Sequence, residues 1–184
     1  MSGPVVVALA GLPGAGKTTL ASEIIRRTGW SYISRDEIRE SMFQPCRYTD
    51  PEKHAAFGAV ILAVEATVQL GRSCIVEGMP FSRLGELESV GEAAQAAGAV
   101  FVPFLVQVHP AIAAERIRQY NASIGQRRIA DRVPGLAHEV AARMRTFGAD
   151  VHCLEGTGST RELADTVLQV TESRQTAVDD PMER

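Results

Sequence analysis

Residues 11–18 read Gly-Leu-Pro-Gly-Ala-Gly-Lys-Thr. Gly11, Gly16, Lys17 and Thr18 therefore stand at the spacing G-x-x-x-x-G-K-[ST]. Glycines in such a loop let the backbone curl until successive N–H groups point inward at phosphate oxygens. The helix that follows adds its positive end. In this pattern Lys17 reaches the β- and γ-phosphates of a nucleoside triphosphate, and Thr18 places its hydroxyl on Mg²⁺. The expected cradle is Gly11, Pro13, Gly14, Ala15, Gly16, Lys17, Thr18 and Thr19. A chance glycine-rich turn would lack the context seen here, in which an apolar run precedes the loop and an amphipathic segment follows it. The loop alone serves kinases, ATPases, GTPases and motors alike.

A second group of chemically capable residues lies in Ser34-Arg35-Asp36-Glu37-Ile38-Arg39. Asp36 and Arg39 are three apart, so on a helix they share a face. A carboxylate there can take or orient the proton of an acceptor hydroxyl. A guanidinium beside it can hold an anionic group on acceptor or donor. The plainer reading is an acid complementing the helix dipole and a surface ion pair. Ser34 and Glu37 already match a capping box, which leaves Asp36 without a structural task. Arg116, Arg118, Arg127, Arg128 and Arg132 crowd one later stretch. Arginines closing over a γ-phosphoryl group would stabilise its developing charge, and a solvated arginine-rich loop is the other reading. Glu77 ends an apolar run, where an acid can hold Mg²⁺ through water, serve the acceptor, or cap the next turn. His109 is expected to be structural.

These residues need elements to position them. Residues 4–10 form a continuous apolar run, as in a buried parallel strand. Residues 18–28 have helical periodicity and stop at Gly29. Further strands are expected at 30–34, 73–76, 100–108 and 151–154, with Pro103 marking a bulge or irregularity, or a strand that starts later. Helices are expected from 35 onward, at 54–70, 82–97, 111–120, 135–147 and 160–173. Residues 44–51 contain Pro45 and Pro51 and read as a loop. That loop, with Arg47, Tyr48 and the nearby Lys53, is expected to set acceptor specificity. Strands alternating with helices imply a parallel sheet covered on both faces. The expected organisation is one domain over 1–173, a lid near 111–134, and a frayed polar tail from 174 to 184.

The chain of 184 residues fits one domain. It is 45% hydrophobic and 22% charged, ordinary for a soluble globular protein. No apolar run is long enough to span a bilayer. The apolar start has no basic n-region and reads as a strand rather than a signal peptide. Cys46, Cys74 and Cys153 lie far apart without metal-ligand spacing, which argues for free thiols in a reducing cytosol. A net charge of −3 argues against a protein that grips long nucleic acid by its backbone.

Taken in order over residues 4–150, the loop 11–19, the segment 34–39, Ile75-Val76-Glu77-Gly78 and the arginine-rich stretch resemble one family. It is the P-loop kinases related to the 5′-kinase domain of polynucleotide kinase. The group is also similar to zeta-toxin kinases, chloramphenicol phosphotransferase and other small-molecule kinases. The resemblance implies that Asp36 is the general base on the acceptor hydroxyl and that Arg39 contacts a phosphate. It implies an R-x-x-x-R pair on a lid helix, where Arg116 fits the first position and Tyr120 stands in the second. Arg132 and Arg127 are then the expected replacements. Relatives often carry aspartate where Glu77 stands, and Glu77-Gly78-Met79-Pro80 is similar to the D-G-x-P of nucleoside monophosphate kinases. The implied fold is a three-layer α/β P-loop NTPase with a five-stranded parallel sheet in the order 2-3-1-4-5 and a helical arginine lid.

The activity expected from all this is Mg²⁺-dependent transfer of a phosphoryl group from ATP or GTP to a hydroxyl of a small molecule. Sugars, nucleosides and antibiotics are the candidate acceptors, the last implying antibiotic resistance. A polynucleotide 5′-hydroxyl is the alternative acceptor. A regulatory NTPase ranks third, because no N-K-x-D-like signature follows the loop. A monomer or homodimer in the cytoplasm is expected, without a membrane partner.

Overall fold

The computed structural model describes residues 3–124 and 133–179. Its five strands are β1 (Val5–Gly11), β2 (Ser31–Ser34), β3 (Cys74–Glu77), β4 (Val100–Gln107) and β5 (His152–Glu155). They form one parallel sheet in the order β2-β3-β1-β4-β5. The helices are α1 (Lys17–Thr28), α2 (Arg35–Met42), α3 (Asp50–Gln69), α4 (Glu86–Ala96), α5 (Pro110–Ile124), α6 (Gly135–Ala142) and α7 (Thr160–Asp179).

β1 shows why the sheet sits in the middle. All seven of its residues are buried. Val5, Val7 and Leu9 face one cluster, with Leu20 and Ile24 of α1 and Ala164 and Val167 of α7. Val6, Ala8 and Ala10 face the other, with Val60 and Val64 of α3 and Val90 and Ala94 of α4. The period-2 alternation of a strand thus feeds two cores from one apolar run. Among the described residues, no helix is long and apolar enough to cross a membrane. The three cysteines are free thiols, and burial pushes that of Cys74 up to about 12.

Several boundaries differ from the sequence reading. α3 begins at Asp50, because Thr49 caps it in a complete capping box with Glu52 and Pro51 fits the first turn. α4 begins at Glu86 rather than Ser82, after a loop ending at Gly85 with φ 86°. Pro103 makes no bulge: it pairs with Ala8, and β5 joins β4 only from Phe104. At Pro103 the outer side of β4 is still an edge, where a missing N–H is tolerated. α6 ends at Ala142. α7 continues to Asp179, so residues 174–179 are helical rather than frayed, and Gln175 Nε2 donates to Gly3 O at 2.8 Å.

Candidate active site

β1, β2 and β3 all deliver their next residues at the carboxyl edge of the sheet, where open parallel sheets bind ligands. After β1 the chain turns through Gly14 (φ 82°) and Gly16 (φ 98°). A Cβ on Gly14 would lie 2.4 Å from Ala113 O, so a side chain has no room there. Lys17 is buried, and its Nζ donates to Gly11 O (2.9 Å) and Leu12 O (3.0 Å). The ammonium is thus folded back on the loop's own carbonyls. An anion in the loop would offer it a stronger, charge-assisted partner.

At the end of β3, Glu77 is 3% exposed and accepts two hydroxyl hydrogen bonds. Thr18 Oγ1 donates to Oε2 at 3.1 Å, and Tyr32 Oη donates to Oε1. Burial, and then the bond to Glu77, raise the Tyr32 pKa, so the phenol stays a proton donor. Thr18 and Glu77 present hard oxygen atoms of the kind Mg²⁺ prefers. Among the described residues no group of three or more His, Cys, Asp or Glu could hold a metal. Thr18 and Glu77 are the residues that would hold magnesium, an ion that usually keeps several waters beside one or two protein ligands.

β2 leads directly into α2, whose N-cap Ser34 accepts a hydrogen bond from Glu37 N. Asp36 lines the cavity beside the loop. Arg39 is 1% exposed, with Nη2 3.1 Å from Asp36 Oδ1 and its guanidinium 4.3 Å from the centre of the Tyr48 ring. Tyr48 has φ 58° and donates to Glu40 Oε1 at 3.0 Å. Arg39 thus stands behind Asp36 and is not among the residues lining the cavity.

On α5, Arg116 donates from Nη1 to Ala15 O (3.2 Å) and from Nη2 to Gly156 O (3.0 Å). It spans from the phosphate loop to the turn after β5. Arg118 pairs with Glu115 on an exposed face. Tyr120 lines the cavity and is 46% exposed. Arg127, Arg128 and Arg132 lie outside the described residues. His109 accepts from Ala111 N through Nδ1 at 3.3 Å, a contact at the start of α5.

One cavity of about 850 Å³ joins these parts. Its lining includes Pro13–Thr19 and Arg116 together with Arg35, Asp36, Lys53, Ser82, Arg83 and Glu86. The sequence reading passed over Arg35, Tyr32, Arg83 and Glu86. Arg35 had a local signal: it is a cation at the first position of a helix, where the dipole disfavours it.

With the geometry in view, comparison with known proteins places the chain. The family model described as an AAA domain matches residues 6–149. The chain belongs to that AAA domain family of P-loop proteins. Among solved structures it is similar to a proposed kinase from Chloroflexus aurantiacus, with TM-score 0.72, 20% identity, and 94% of this chain and 98% of that one covered. It is similar to a sugar kinase from Janibacter (TM-score 0.67, 17% identity, 96% and 98% covered). It is also similar to the APS kinase CysC of Mycobacterium tuberculosis in complex with AMPPNP and APS (TM-score 0.65, 14% identity, 94% and 99% covered). At these identities the likeness speaks for the fold alone. No curated protein matches the sequence.

Proposed function

We propose that this AAA-domain protein is a kinase that moves the γ-phosphoryl group of ATP or GTP to a hydroxyl of a small molecule. The observation that carries the reading is that one cavity is lined by both the Lys17 loop and Asp36. The acceptor oxygen attacks the γ-phosphorus and forms the new P–O bond. The bond from that phosphorus to the β–γ bridging oxygen breaks, and its electron pair leaves with the nucleoside diphosphate. The hydroxyl proton passes to the Asp36 carboxylate. Arg39, pinned between Asp36 and Tyr48, is a positioning residue that fixes the carboxylate.

Lys17 and Arg116 supply positive charge on the donor side. Thr18 and Glu77 are the residues that would hold magnesium, which when bound neutralises phosphate charge. Tyr32 keeps Glu77 oriented toward Thr18. The sugar kinase and the APS kinase among the structural neighbours support a small-molecule acceptor, as does the net charge of −3.

The test is ADP release across hydroxylated metabolites, antibiotics and a 5′-hydroxyl oligonucleotide. Asp36→Asn keeps the shape of the side chain and leaves Arg39 a hydrogen-bond acceptor. It should lower kcat by about 100-fold or more, as loss of a general base does. Mg-AMPPNP binding, measured by titration, should be retained. Full transfer by the variant would remove Asp36 from the mechanism.

A further inference from the structure

The cavity is lined by a cation that its surroundings do not satisfy. Arg35 is 9% exposed and lines the cavity next to Asp36. Glu86 approaches it as an ion pair, with Nη1 to Oε1 at 3.8 Å, beyond hydrogen-bond range. Among the described residues its Nε has no hydrogen-bond partner. Glu86 is also shared, because its Oε2 accepts from Arg83 N at 3.4 Å. Two other cations nearby are matched more closely, and a third is not. Arg39 holds Asp36 at 3.1 Å, Arg83 holds Asp50 at 2.9 Å, and Lys53 stands 3.9 Å from the same Asp50.

Burial lowers the Arg35 pKa, as expected for a guanidinium removed from water without full compensation. Arg35 is also the first residue of α2, where a helix end disfavours a cation and favours an anion. A buried charge short of partners is costly. A planar fork facing a cavity is suited to two parallel hydrogen bonds with an anionic group.

We infer that the acceptor is an anionic hydroxyl compound and that Arg35 binds its anionic group while its hydroxyl meets Asp36. This deepens the kinase reading and rests on it. Arg39, 1% exposed and 3.1 Å from Asp36, does not line the cavity as Arg35 does. Carboxylate and phosphate share the required chemistry, two oxygens matched to one guanidinium.

The test uses matched triads with the full chain: glycerol, glycerate and glycerol 3-phosphate; and glucose, gluconate and glucose 6-phosphate. Each compound is assayed twice, by ADP release with Mg-ATP and by shift in Tm with Mg-AMPPNP. The expected result is preference for the acids over the neutral alcohols in both readouts, and the carboxylate and phosphate arms show which anion is taken. Arg35→Gln should weaken the acid's binding about tenfold or more, the loss of one charge-assisted bidentate contact. AMPPNP affinity should be retained. Glu86→Gln removes the competing carboxylate and should tighten the acid's binding, a change opposite in sign that mere loss of packing would not produce.

Neutral alcohols preferred, no acid raising Tm, or Arg35→Gln binding the acid as tightly as wild type would each overturn the inference. Failure of the kinase reading looks different: no ADP release with any compound, while the Tm shifts still decide whether Arg35 binds an anion.

Discussion

At Gly78 the backbone φ is 83°, and a Cβ would lie 2.7 Å from Ser34 Oγ and 2.9 Å from the backbone nitrogens of Arg35 and Asp36. The residue after Glu77 is thus pressed against the first turn of α2. Gly78→Ala carries the cost of a left-handed residue, about 1–2 kcal/mol. It also pushes on the turn that bears Arg35 and Asp36. Gly85→Ala is the control: its φ is 86°, and nothing lies within 4 Å of its Cβ position. Gly78→Ala should lower kcat/KM well beyond Gly85→Ala, with a greater fall in Tm; equal losses would show that only the φ cost matters. The same turn shows what a sequence carries at this scale. Lys17 and Thr18 are readable because a local loop fixes where they point. Asp36 and Arg39 share a helix face at i,i+3, but that spacing is silent on depth. The structure sinks Arg39 under Tyr48 and turns Arg35, the unremarked neighbour, toward the cavity.

Between elements, α1 meets α7 through a charged seam. Arg27 donates from Nη1 to Asp165 Oδ1 at 2.6 Å and from Nε to Glu23 Oε1 at 2.7 Å. Hydrogen bonds from Arg26 and Arg27 pull the Glu23 pKa from its ordinary 4.5 down to about 2. A carboxyl whose folded pKa is depressed adds stability above its unfolded pKa and loses it as pH falls through the folded value. Wild type should therefore exceed Glu23→Gln in Tm above pH 4.5, and the gap should close between pH 4.5 and about 2. The gap should also shrink in 1 M NaCl, because exposed pairs are screened, to a Debye length of about 3 Å at that strength. A gap that ignores both pH and salt would assign Glu23 to packing. Element types were readable from apolar periodicity. Element ends were set by contacts that periodicity does not contain: Thr49 and Glu52 closing a capping box, and Gly85 redirecting the chain into α4. Strand order likewise depends on which faces pack together, so it entered through the resemblance rather than from any one strand.

The molecule as a whole holds its candidate nucleotide site from three places in the chain. The loop after β1 supplies the cradle, Arg116 on α5 reaches across to Ala15 O, and the same guanidinium grips Gly156 O after β5. A ligand in the cradle would touch parts whose separation in sequence exceeds 100 residues, as the Arg116–Ala15 bond does already (|i−j| of 101). Such a ligand should stabilise global folding rather than one loop. A site filled at 100 times its Kd adds about 2.7 kcal/mol to folding stability. For a chain of this size each kcal/mol moves Tm by about 2–4 °C. Saturating Mg-AMPPNP should therefore raise Tm by about 5–10 °C, and the rise should grow with the logarithm of ligand concentration. Lys17→Ala removes the ammonium that closes on the loop's carbonyls Gly11 O and Leu12 O. Measured from its own ligand-free Tm, the variant should gain much less from Mg-AMPPNP than wild type does. A wild-type Tm indifferent to Mg-AMPPNP and Mg-GTP alike would mean that the loop does not hold a nucleoside triphosphate, whatever its spacing.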